Sequence, residues 1–102
     1  MRDYNEDINA IRRVLDITRR YSLDKIVTAL ALNDKQTIAQ FRLSKRKADA
    51  KANQTIAAYE AAQSDEAKLA IFGACKMDDS VFEHSQAEVA SELSEMNKPA
   101  VV

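Results

Sequence analysis

One glycine and one proline in 102 residues, Gly73 and Pro99, constrain this chain more than any motif in it. Sheets and barrels reverse direction on Gly, Pro, Asn and Asp at short intervals, and this sequence lacks that supply. Ala, Lys, Glu, Gln and Leu dominate instead, and these lose little on entering a helix. The chain therefore reads as all-α, with about five helices in a single domain over residues 1–98 and a flexible tail over 99–102.

Hydrophobic spacing sets out the helices. Ile8, Ile11, Leu15 and Thr18, widened by Val14, Ile17 and Tyr21, predict a first helix over Glu6–Tyr21, capped by Asp3 or Asn5. Ser22 caps a short second helix, Leu23–Leu32, whose apolar positions are Leu23, Ile26, Val27, Leu30 and Ala31. Asn33 can take the left-handed conformation that ends it, and Asp34 can cap the next. No breaker follows before Ser64, so a third helix runs from Lys35 along Ile38, Phe41, Ala48, Ala52, Ile56 and Tyr59, with Lys45 interrupting the stripe. Ser64 opens a fourth helix, apolar on nearly every side from Ala67 to Cys75 and so expected to be buried in the fold or in a dimer. Ser80 and Glu83 form a capping-box pattern for a fifth. Phe82, Val89, Leu93 and Met96 make its apolar stripe, and Glu83, Glu88, Glu92 and Glu95 its outward acidic face.

The net charge of −1 conceals a division. Residues 1–51 hold twelve Lys/Arg against seven Asp/Glu; residues 52–102 hold three against nine. A basic half of this kind suits a polyanion, or the two halves attract each other. The chain's apolar runs, "IVTALAL" and "LAIFGAC", are too short to span a bilayer, and its opening residues, MRDYNED, have no signal-peptide core. A lone cysteine, Cys75, forms no internal disulfide, so a reducing cytoplasm is the expected compartment.

Residues 23–42 resemble the helix-turn-helix family in layout: a short positioning helix, a tight turn at Asn33–Asp34, and a second helix carrying "TIAQF". The resemblance implies a basic helix-turn-helix-like part over 1–51, followed by an acidic part over 52–98 whose fourth and fifth helices pack or dimerise. It sets Ile38 and Phe41 in a core with Ile26, Val27 and Leu30, and turns Lys35, Gln36 and Gln40 toward base edges. Lysine can donate to guanine and glutamine can pair with adenine. Thr37, Ser44, Arg46 and Lys47 would then meet phosphate, as would Arg19, Arg20 and Lys25 at the positioning helix. Asn33 stands where the family usually has Gly, and Thr28 where it has a small Ala.

Catalysis finds little support in the sequence. One glycine cannot make a phosphate loop. Cys75 sits in the most apolar segment, and its only histidine partner would be His84. His84, Glu88 and Glu92 share a face on the expected fifth helix, but one histidine and two carboxylates are a weak metal set. We therefore expect no cofactor, no metal and no enzymatic activity. Two readings remain. One is a small DNA-binding regulator or accessory factor, dimeric on duplex DNA. The other is an adaptor or inhibitor that docks a protein partner through Glu83, Glu88, Glu92 and Glu95.

Overall fold

The computed structural model describes residues 3–98; the expected tail, 99–102, lies outside the described residues. Five α-helices make up the fold: α1 (Tyr4–Val14), α2 (Leu23–Ala31), α3 (Lys35–Ala61), α4 (Asp65–Ala74) and α5 (Gln86–Met96). Two 3-10 turns, Ile17–Arg19 and Asp79–Phe82, lie between them. No strand occurs among the described residues. Contacts group these residues into two units, 3–16 with 47–78 and 17–46 with 79–98, and α3 contributes a half to each.

The first unit is built on the C-terminal half of α3. Ile11 and Leu15 from α1 and Ile56 and Tyr59 from α3 form its buried cluster, with Ile8, Ile71, Phe72 and Met77 packed around them. Asp3 caps α1 through the Glu6 amide, as its sequence position suggests. Tyr59 is fully buried and donates its hydroxyl to the Asp7 carboxylate. Lys68, also buried, donates to the carbonyl of Tyr59 at 2.8 Å, satisfying an oxygen at the negative end of α3. Its ammonium stands 4.9 Å from the ring centroids of both Tyr4 and Tyr59.

The expected first helix is too long. It ends at Val14, and the chain tightens into a 3-10 turn over Ile17–Arg19. Val14, Ile17 and Thr18 are β-branched and Asp16 competes for backbone amides, so the segment resists regular helix. The break falls where the chain passes from one unit to the other: Leu15 is buried in the first cluster and Ile17 in the second unit.

The second unit packs the N-terminal half of α3 against α5. Ala39, Leu43 and Val89 are buried, with Leu93 and Met96 alongside. Tyr21 meets Phe41 edge-on at 5.5 Å and Phe82 at 6.3 Å. α5 does not start at the Ser80 box. Residues 79–82 form the 3-10 turn that buries Val81, and the capping box is Ser85 with Glu88, each accepting from the other's amide at 3.1 Å. Both serines fit the same pattern. Val81, Phe82 and His84 are weak helix formers, whereas the later start is followed by Gln86, Ala87 and Glu88.

The turn between α2 and α3 follows the sequence closely. Asn33 has φ 53°, the left-handed value. The Asp34 amide bonds the Ala29 carbonyl at 2.8 Å and the Asn33 amide that of Leu30 at 3.2 Å, the pair of bonds that defines a Schellman ending. Asp34 then caps α3, accepting from the Thr37 amide at 3.1 Å and its hydroxyl at 2.7 Å. Thr37's hydroxyl and then its amide hold the Asp34 carboxyl below its ordinary range. Its capping contribution is therefore full above the ordinary carboxylate range and fades only as pH falls through the lowered value. Because only a small polar side chain tolerates this φ, Asn33→Val should cost about 1–2 kcal/mol while Asn33→Gly leaves stability unchanged or raised. Urea melts of both variants check this.

Candidate interaction surfaces

The residues expected to read DNA do not form one open basic face. On α3, Lys35 and Gln36 are exposed, but the Lys35 ammonium donates to the Asn97 side chain at 3.0 Å. Thr37 is occupied in the Asp34 cap, and Gln40 is half-buried. Ser44 cannot meet phosphate: it is fully buried, and its hydroxyl shares a hydrogen bond with His84 Nε2 at 2.8 Å. Lys47, half-buried, belongs to the first unit rather than the second. Arg19 pairs with Asp79 at 2.6 Å, and Arg20 stands 3.7 Å from the same carboxylate. Both guanidiniums lie over the Phe82 ring at about 5 Å.

Glu92 explains much of this. Expected on an outward acidic face, it is only 3 % exposed. Arg46 donates to its Oε2, and Arg42 Nε stands 2.8 Å from Oε1 as an ion pair rather than an aligned hydrogen bond. The carboxylate thus faces α3 and engages two of the cations on which a phosphate-binding reading depends. Residues 17–46 carry seven Lys/Arg against two Asp/Glu, residues 79–98 one against five, and the unit's formal charge is only +1. Some of the attraction between the basic and acidic parts is thus satisfied within this unit.

The acidic face is correspondingly smaller. Glu83 and Glu95 are exposed and Glu88 is half-buried, its carboxylate holding the Ser85 amide. Lys98 pairs with Glu95 at 2.8 Å, by hydrogen bond and charge, and holds that carboxyl below its ordinary value. His84 precedes α5, so it does not share a helical face with Glu88 as the sequence suggested. Among the described residues no group of three His, Cys, Asp or Glu side chains is placed to hold a metal.

Ser44 and His84 are a nucleophile-and-base pair that sequence spacing could not show, being 40 residues apart. With Ser44 at 0 % exposure, its oxygen has no path to a substrate carbonyl, and the pair ties α3 to the turn before α5. Cys75 is half-buried; burial pushes its thiol above the ordinary value, with Lys51 opposing.

The surface that stands out lies on α2. The helix-turn-helix resemblance placed Val27 and Leu30 in the core with Ile26, but α2 buries only Ala29, with Ile26 half-buried. Leu23 is 77 % exposed, Val27 54 % and Leu30 60 %. At 100° per residue these three fall within about 60° of one another on the helix wheel. Single exposed leucines are ordinary on any protein; three aliphatic side chains on one side of one short helix form a continuous apolar stripe. α4, expected from its sequence to be buried in the fold or in a dimer, is not buried throughout: Leu69, Ala70, Gly73 and Ala74 are exposed.

The chain matches no protein family, no curated protein and no solved structure. No helix among the described residues is long and apolar enough to cross a membrane.

The Glu92 arrangement has a measurable consequence. Removing one partner of a buried pair is normally costly, but Arg42 and Arg46 are 47 % and 62 % exposed and can return to water. Glu92→Ala should therefore destabilise the chain by about 1–2 kcal/mol rather than the full buried-charge penalty, and Glu92→Leu by less, because it refills the volume. Urea midpoints of the two variants decide the order.

Proposed function

We propose that this chain is a non-enzymatic helical interaction module of the cytoplasm, an adaptor or inhibitor that docks a protein through the Leu23, Val27 and Leu30 stripe of α2. The observation that carries the reading is the exposure of all three on one side of a helix whose own burial is limited to Ala29 and part of Ile26. Burying a leucine or valine is worth about 1.5–3 kcal/mol, so three anchors on one short helix give a complementary groove or helix an apolar contact to build on. Leu30→Lys leaves the fold intact, because the side chain is mostly in solvent, and removes the anchor. Recovery of a partner from a cell lysate by the tagged full chain should fall at least tenfold with this variant. Equal recovery would overturn the reading.

Duplex DNA is the second reading, that of a small regulator or accessory factor with a helix-turn-helix-like element. It is favoured by the Schellman turn leading into α3, whose first turn exposes Lys35 and Gln36. On this reading Gln36 and Gln40 approach base edges while Arg42, Lys45 and Arg46 attract phosphate. Fluorescence anisotropy with mixed-sequence duplex across a salt series separates the two: DNA binding predicts affinity that falls steeply with salt, and Glu92→Gln should strengthen it by releasing Arg42 and Arg46. Docking through α2 predicts no duplex binding at physiological salt.

A further inference from the structure

We propose that the groove between α3 and α4 binds a single-chain fatty carboxylate, its headgroup at Lys51 and Lys76 and its chain running toward Ala58 and Ile71. The site lies within the first unit and is independent of docking through α2.

The groove has a volume of about 420 Å³, within the range of small-molecule sites. Lys51, Thr55 and Ala58 of α3 form one wall, and Ile71, Ala74, Cys75 and Lys76 from the end of α4 onward form the other. The two helices run antiparallel: Lys68 reaches the Tyr59 carbonyl near their connection, and farther along Lys51 acts on Cys75. Burial raises the Cys75 thiol and the Lys51 charge opposes it, which sets that ammonium close to the sulfur. The walls are therefore graded. Lys51, Cys75 and Lys76 stand toward one end of the groove, Ala58 and Ile71 toward the other.

The cations are available. Lys51 is half-buried and Lys76 exposed, and neither pairs with a carboxylate among the described residues. The Thr55 hydroxyl donates to the Lys51 carbonyl at 2.8 Å, so the lysines supply the charged donors for a ligand. A carboxylate received by two ammonium groups gains charge-assisted hydrogen bonds. From Lys51 to Ala58 the helix rises about 10 Å, the span of an extended chain of about eight to ten carbons. The unit around the groove holds six Lys/Arg against nine Asp/Glu, a net −3. Its overall field does not draw anions in, so the apolar chain must contribute much of the affinity.

Isothermal titration calorimetry of the full chain with octanoate and decanoate, each below its micelle concentration, tests the proposal. Both should bind saturably at one site. Decanoate should bind about fourfold more tightly, because an open groove buries about half of each added methylene. K51Q/K76Q, which removes the charges, and A58E, which sets a carboxylate at the apolar end, should each weaken decanoate by roughly tenfold or more. Circular dichroism confirms that each variant is folded. A second measurement needs no variant: Cys75 is the chain's one thiol, and saturating decanoate should slow its alkylation by N-ethylmaleimide severalfold. Decanol that binds as tightly as decanoate would overturn the role of the lysines, and inorganic phosphate that does so would overturn that of the chain. The proposal also fails if decanoate does not bind, if both folded variants bind it like wild type, or if Cys75 reacts at one rate with and without it.

Discussion

An uninterrupted helix of 27 residues, about 40 Å long, must find apolar cover along its whole length, and every other element answers to that need. α3 carries a stripe too evenly spread for a single neighbour: Ala39 and Leu43 in its first half, Ile56 and Tyr59 in its second. α1 and α4 cover one half and α5 the other. Each half also has a charged fastening. Lys68 satisfies the carbonyl end of α3, and Glu92 clamps Arg42 and Arg46 along its side. Most of the short helices are thereby committed. α2 commits Ala29 and part of Ile26, and keeps its larger apolar residues outside.

The same economy bears on the two functional readings. A basic helix is only as available to phosphate as its cations are, and the acidic C-terminal part supplies the carboxylates that occupy them. Glu92 faces two arginines and Asp79 two more. Part of the charge division that suggests a polyanion partner in the sequence is internal pairing of Arg19, Arg20, Arg42 and Arg46 in the fold. The apolar stripe has no such internal answer, which is why docking through α2 carries more weight than docking through charge.

Much of the fold was legible from residue types. The scarcity of Gly and Pro gave the all-helical class. Ser22, Asn33, Asp34 and Ser64 marked helix ends correctly because a cap is a local arrangement, decided by a side chain and an amide a few residues away. Errors arose where the choice was not local. Ser80–Glu83 and Ser85–Glu88 satisfy one pattern, and the helix formers that follow the second decide between them. Ile17 and Tyr21 continue the spacing of α1, yet the chain breaks there because Ile17 is buried in the other unit. Glu92 looks like its neighbours Glu88 and Glu95 in sequence; only the approach of Arg42 and Arg46, at least 46 residues away, turns it inward. The Ser44–His84 bond is legible in no spacing at all. The α2 stripe was visible as residues and misread as core, since a period of apolar positions says that a face seeks burial but not what buries it.

Hydrogen exchange of the full chain, followed by mass spectrometry, tests the central claim most directly. If α3 is covered along both halves while α2 commits only Ala29 and part of Ile26, amides in both halves of α3 exchange slowly and those of α2 over Leu23–Ala31 exchange faster. Exchange in α2 as slow as in α3, or a half of α3 that exchanges as fast as α2, would contradict it.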